Sequence, residues 1–214
     1  PLTTNRKSDI LAFLKPRATL GITPVMVDPE YIYITLLSKI HVDFNQTSLT
    51  AAQMDTVVRS AISQYNTTFL QALGNNFRLS TLMASIDVSD NSIISNETTA
   101  FMYKKFGDLQ KYLTTPLIVD FHGNQIKPGS IVSNQFQSNN KLYSFTDYIA
   151  GVDNTAGNIF QVEKTASTSA INYSIVGSVN YDTGYITIKS LTYDTTPANG
   201  LKIFAAPVNQ DIYS

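Results

Sequence analysis

From Tyr31 to Phe44 the chain alternates. Ile32, Ile34, Leu36, Ile40, Val42 and Phe44 hold even positions, while Thr35, Lys39, His41 and Asp43 hold odd ones. A period of two over this length predicts a strand with one buried face. The period then changes. After Asn45-Gln46-Thr47, Thr50 and Gln53 have the spacing of a capping box, in which each side chain binds the other residue's amide. Met54, Val57, Val58, Ala61, Ile62, Tyr65, Phe69 and Leu73 follow at steps of three and four, and Gly74 supplies a left-handed stop. A one-sided strand followed by a one-sided helix predicts that the helix lies across the sheet.

A second helix is expected from near Asn76, carrying Leu79, Leu82, Met83 and Ile86 inward, with a turn over Asp87 to Asn91. Between Ile93 and Phe106, Ala100, Met102 and Phe106 alternate with Phe101, Tyr103 and Lys105, which predicts a second strand that is apolar on both faces and therefore central or interfacial. Upstream, Ser8 to Lys15 reads as a short helix capped by Ser8 and stopped by Pro16, serving either as a connector or as a cover for the sheet. Gly21 to Pro29 reads as a link into the long strand.

Order and spacing within this region carry a resemblance. The runs Val27-Asp28-Pro29-Glu30-Tyr31-Ile32-Tyr33-Ile34, Leu49-Thr50-Ala51-Ala52, Val58-Arg59-Ser60-Ala61-Ile62, Asn76-Phe77-Arg78-Leu79-Ser80 and Ile86-Asp87 resemble the C-terminal part of the baseplate J-like proteins of contractile phage tails. Within that family the likeness is to the baseplate wedge proteins of T4-like phages. It runs from about Leu20 to Asn96 and extends towards both ends. The resemblance implies a non-catalytic virion protein of the tail baseplate, assembled in the host cytoplasm. It also implies contacts with further copies and with other wedge proteins that close wedges into a ring around the tail hub. The chain opens on Pro1, from which a C-terminal fragment is expected.

Beyond Gly107 the helical periodicity stops and short strand patterns recur about every ten residues, which predicts an all-β region. Its expected strands are Leu117 to His122, Ser130 to Gln137, Lys141 to Tyr148, Gly157 to Lys164, Ala170 to Val176, Ser178 to Tyr181, Tyr185 to Leu191 and Leu201 to Ala205. Gly123-Asn124 and Pro128-Gly129 mark tight turns. Asp182-Thr183-Gly184 reads as a three-residue hairpin loop with Gly184 at positive φ. Two packed sheets are favoured over a barrel, although periodicity does not decide between them. The expected class is α+β: a connector helix in 1–19, a strand-helix-helix-strand domain in 20–106 and a sandwich-like all-β domain in 107–214.

Composition narrows the function. Charged residues make up only 14% of the 214, so Ser, Thr, Asn, Gln and Tyr must cover much of the surface. Neutral polar groups lose less than charges when an interface buries them, so such a surface suits permanent assembly. A net charge of -1, with no basic run longer than Lys104-Lys105, argues against nucleic acid. There is no cysteine, hence no thiol nucleophile, disulfide or Cys-based zinc site. No apolar run approaches the roughly twenty residues of a membrane span.

Candidate chemistry is sparse. His41 sits on the polar face of its strand and His122 before a turn, too separated in sequence to suggest a metal centre. Asp87, Asp90 and Asp153 lie near turns without a calcium-loop pattern, and read as caps on local amides. Gly151 to Gly157 lacks the Lys and following helix of a phosphate loop. Asn45, Asn66, Asn96 and Asn172 match the glycosylation pattern as expected by chance in so Asn-rich a chain. No nucleophile, base and orienting group can be named together, so no catalytic, cofactor-binding or metal residue is assigned. Two functions stand: a self-associating structural subunit, expected to dimerise, and a β-sandwich module binding a host glycan through Tyr143, Tyr148, Tyr181 and Tyr185.

Overall fold

Thr3 accepts a hydrogen bond on Oγ1 from the Arg6 amide at 3.5 Å and so caps helix α1 (Thr4–Leu14). The computed structural model describes residues 3–19, 21–26, 30–72, 74–107, 109, 114–164, 172–189, 191–195 and 197–213. The expected Ser8 cap is thus corrected: Thr3 already offers a cap one turn earlier, which leaves Ser8 inside the helix. Pro16 falls in a 3-10 turn (Lys15–Arg17) directly after α1. There the Arg17 guanidinium donates to the Phe13 carbonyl at 2.9 Å and lies 3.8 Å from the centre of the Phe13 ring. These elements belong to a unit spanning 1–31; residues 32–214 form the other. Val27 to Pro29 lie outside the described residues.

The second unit begins with strand β1 (Tyr33–Val42), followed by helices α2 (Ala51–Tyr65) and α3 (Leu79–Asp87) and strand β2 (Ile93–Phe106). The capping box is present. Thr50 Oγ1 accepts from the Gln53 amide at 3.4 Å, and Gln53 Oε1 accepts from the Thr50 amide at 2.8 Å. Met54, Val58 and Tyr65 of α2 are buried and Val57 and Ile62 pack beside them, as the stripe predicts. Phe69 is the exception, at 45% exposed. The chain leaves α2 through a π-helical turn (Asn66–Leu70), and the wider turn retards the phase of the stripe so that Leu70 packs on the core in place of Phe69. Leu73 lies outside the described residues, and Gly74 has the expected positive φ of 80°.

The second helix starts later than the pattern suggested. Phe77 forms an isolated bridge to Ile212, which keeps Asn76 to Arg78 extended, and α3 therefore begins at Leu79. Leu82 and Ile86 are fully buried and Leu79 packs against them. Burial of each such side chain is worth roughly 1.5–3 kcal/mol. The Tyr65 hydroxyl donates to the Arg78 carbonyl at 3.1 Å and accepts from its amide at 3.0 Å, tying α2 to the start of α3. Asn96 fixes α3 to the sheet, since its Nδ2 donates to the Met83 carbonyl at 3.0 Å and to Asp87 at 2.6 Å.

The remaining strands are β3 (Leu117–Asp120), β4 (Val132–Ser133), β5 (Phe136–Ser138), β6 (Lys141–Thr146), β7 (Asn158–Glu163), β8 (Tyr173–Asn180), β9 (Tyr185–Ile188) and β10 (Leu201–Ala205). The run Ser130 to Gln137 yields two short strands rather than one, because Asn134 interrupts it: its amide and side chain bind Lys202 and Gly200. Similarly, Ala170 to Val176 and Ser178 to Tyr181 merge into β8, with Ala170 outside the described residues. Gly177 permits the merger. A Cβ there would meet the Thr187 carbonyl oxygen at 2.1 Å, so a side chain at this point would part β8 from β9.

Among the described residues all strand pairings are antiparallel, and a single sheet runs in the order β1-β2-β10-β4-β6-β7-β8-β9-β3, with β5 on β6. Thus the fold is α+β and mostly β. The sheet crosses Gly107 without a break, since β10 pairs with β2 from Leu201 opposite Phe106 to Ala205 opposite Met102. Beyond β3 the chain turns back on the ladder. Ile126 donates its amide to the Tyr181 carbonyl and forms a bridge with Pro207, just past β10, which links the two ends of the all-β part. In place of the two separate sheets expected, the strands join in one continuous ladder, and the return contact that links its all-β ends is an isolated bridge too short to show as a pattern. One core cluster joins Met54, Leu82 and Ile86 of the helices to Phe121, Phe136, Phe145 and Ile186 of the all-β part.

Candidate interaction surface

Each polar group singled out in the sequence has a local task. His41 and Lys39 both approach the Glu97 carboxylate, at 3.7 and 3.8 Å, on the exposed face of β1 and β2. Asp43 instead receives the Asn45 amide and the Gln46 side chain. His122 adopts a positive φ of 53°, with its amide held by Asp120 at 2.7 Å and its Nε2 3.2 Å from Lys104 Nζ. The two histidines remain on separate elements, and no group of three or more acidic or histidine side chains able to hold a metal occurs among the described residues.

The aspartates near turns bind amides and hydroxyls of their own loops. Asp90 accepts from the Ser92 hydroxyl and amide, and Asp153 from the same two groups of Thr155; these bonds hold both carboxyls below the usual range. Asp87 receives Asn96. In the Gly151–Gly157 loop, Asn154 closes the turn by donating to the carbonyls of Ile149 and Val152. Of the matched asparagines, Asn96 is buried, Asn66 lies in the π-helical turn, Asn45 binds Asp43 and Asn172 reaches Glu163.

The four loop tyrosines differ in setting. Tyr143 packs on Phe136 within the sheet, whereas Tyr148 and Tyr185 are exposed. Tyr181 commits its hydroxyl to Asp147 at 3.0 Å, and Asp147, only 1% exposed, also accepts from the amides of Gly129 and Ile131. Burial, followed by the neighbouring carboxylate, pushes the Tyr181 phenol well above the ordinary tyrosine range.

A more distinctive surface lies at the other end of the sheet. On its exposed side, Tyr33, Tyr103, Phe204 and Val132 form one cross-strand row through the register of β1, β2, β10 and β4. Tyr33 stacks on Tyr103 with centroids 5.1 Å apart and planes 20° from parallel; Phe204 lies 5.1 Å from Tyr103, and Lys202 Nζ 5.5 Å from that ring. Such pairs each contribute roughly 0.2–1 kcal/mol to pairing and stiffen the strands that carry them.

Beside this row, β1 ends the sheet. Among the described residues its one strand neighbour is β2. The Ala100 amide donates to Gln210 Oε1 on the β10 side, so the even residues of β2 point their hydrogen-bonding groups away from β1 and the odd ones towards it. By the register, odd residues of β1 are then spent on β2, and the amides and carbonyls of Ile34, Leu36, Ser38 and Ile40 face the outer edge. The side chains of Leu36, Ser38 and Ile40 border a groove of about 420 Å³ between β1 and α2, lined also by Met54, Val58 and Ile62. Asp55 and Arg59 pair at 2.7 Å on its rim. This is the geometry of a vacant strand position under a helix: donors and acceptors along one side, apolar pockets at alternate positions.

Leu37 was the signal in the sequence. It breaks the polar set on the odd positions, and the structure leaves it 68% exposed in the middle of the edge strand. Phe44, expected on the buried face, is 54% exposed instead, since β1 stops at Val42 and its register shifts at His41.

Comparison with known proteins agrees with the sequence. Residues 30–105, which contain β1, α2, α3 and nearly all of β2, match the family described as baseplate structural protein gp6, C-terminal domain III. The chain is also 28% identical over 138 residues to the baseplate wedge protein gp6 of Enterobacteria phage T4. That alignment covers 64% of this chain and 20% of the T4 protein, so the likeness concerns about a fifth of the relative's length. The resemblance to baseplate wedge proteins read from residue order and spacing is thus found on both counts.

Proposed function

We propose that this chain is a structural component of a contractile-tail baseplate wedge, located in the virion tail, that helps join wedges into the ring around the tail hub. It does so by binding further copies of itself and other baseplate proteins, with a homodimer as the basic unit, and without a catalytic step. The observation that carries the reading is the coincidence of the 30–105 family match with the unit built by β1, α2, α3 and β2. The low charged fraction and the aromatic row beside an unpaired edge add support, because both favour surfaces that become buried on assembly.

Two measurements test this. Sedimentation over a wide concentration range is expected to show a dimer; a strict monomer overturns self-association. Antibodies against the chain are expected to decorate the distal end of phage tails, and decoration confined to heads or fibres overturns the baseplate assignment.

A further inference from the structure

Edge strands normally carry protection: a proline, an inward charge, a bulge or a covering loop. Strand β1 spans Tyr33–Val42 without proline, its one lysine, Lys39, lies against Glu97 on the exposed face, and its register shift falls at the far end beside His41. Among the described residues this leaves a long unprotected edge next to an apolar groove, which is suited to receive another strand. Resting on the self-association proposed above, we infer that the occupant is β1 of a second copy, paired antiparallel about a two-fold axis with Leu37 opposite Leu37.

The sequence of the strand selects this register. A two-fold pairing is self-complementary, as closed dimer interfaces are. With Leu37 on the axis, Leu36 lies opposite Ser38 of the second copy and Ile34 opposite Ile40, and these are the residues whose backbone groups face the open edge. They exchange the ladder hydrogen bonds, and their side chains continue the apolar floor beneath both α2 helices. On the other face Thr35 meets Lys39 and Tyr33 meets His41, so no like charges oppose each other. Sliding the strands until Lys39 meets Lys39 sets two ammonium groups face to face. The Leu37 pair falls at a position without hydrogen bonds, where opposing side chains approach most closely, and there the most exposed apolar residue of β1 is removed from water.

The absence of native cysteine gives a direct test. Leu37→Cys introduces a single thiol, and mild oxidation is expected to give a covalent dimer, whereas Tyr185→Cys on β9 stays monomeric on a non-reducing gel. Leu37→Lys, at an exposed site, is expected to weaken the dimer at least about tenfold, with an unchanged melting temperature at concentrations where the parent chain is monomeric. Ser38→Pro is expected to weaken the dimer likewise, since a proline there removes an amide that points away from β2, and to lower stability as well because the Ser38 hydroxyl accepts from Thr98 at 3.0 Å. A dimer unaffected by Leu37→Lys, with no disulfide crosslink formed by Leu37→Cys, overturns the edge pairing while leaving self-association standing. A parent chain that is monomeric at every concentration overturns both.

Discussion

The Asp211 carboxylate accepts a hydrogen bond from the Leu79 amide at 3.0 Å, across 132 positions of sequence. Arg78 offers no side-chain cap to α3, so the helix takes its cap from the far end of the chain. The neighbouring Phe77 and Ile212 exchange two backbone hydrogen bonds, at 2.9 and 3.0 Å, and Tyr213 is held through its amide and carbonyl by the Asn124 side chain. The C-terminal segment therefore ties the helical layer to the turn after β3.

Removing this cap has a measurable cost. Asp211→Ala is expected to lower unfolding free energy by about 1 kcal/mol, and Asp211→Asn, which keeps an acceptor, by clearly less. Urea denaturation of the two variants checks it, and equal midpoints for both would refute the capping role.

Asp147 should be the most sensitive polar position. Its replacement by Ala leaves the Gly129 and Ile131 amides and the Tyr181 hydroxyl without their acceptor, at roughly 1–3 kcal/mol for each buried donor left unmade. We expect a loss of at least about 3 kcal/mol for Asp147→Ala and about 1 kcal/mol for Tyr181→Phe by chemical denaturation.

Tyr181 also links stability to alkaline pH. Its phenol ionises less readily in the folded chain than in the unfolded one, so its stabilising contribution is complete below the ordinary tyrosine pKa of about 10 and is lost as the pH rises above that value. Tyr181→Phe is expected to flatten the fall of stability above this point. Parallel alkaline profiles of the parent and the variant would show that the phenol makes no such contribution.

Gly184→Val is expected to be severe. Gly184 has φ of 68°, and a Cβ there would meet the Asn124 carbonyl oxygen at 2.3 Å and Phe121 Cβ at 3.2 Å. Both conformational strain and collision oppose the substitution. We expect a fall in melting temperature of several degrees, read by circular dichroism.

The hairpin around this glycine departs from its local pattern. The sequence predicted a three-residue loop, yet the last pair is Asn180 with Tyr185 and the loop runs from Tyr181 to Gly184. Tyr181 leaves the ladder because its carbonyl accepts from the Ile126 amide and its hydroxyl donates to Asp147. Both partners are distant in sequence.

Legible along the chain were the local and periodic features: the alternation of β1, the Thr50–Gln53 box, most of the buried positions of α2 and α3, and the resemblance to baseplate wedge proteins, read from about Leu20 to Asn96 where the family match covers 30–105. These follow from backbone geometry, which repeats every two or 3.6 residues and so leaves a mark in any contiguous stretch. The pairing of β10 with β2, the return of Ile126 to Pro207, the Asp211 cap and the position of β1 at the end of the sheet emerged only from the folded arrangement. Those depend on single contacts between remote residues, and a contact made once has no period. Leu37 stands between the two: its break in the alternation is visible in the sequence, but its meaning comes from the unpaired edge on which the fold places it.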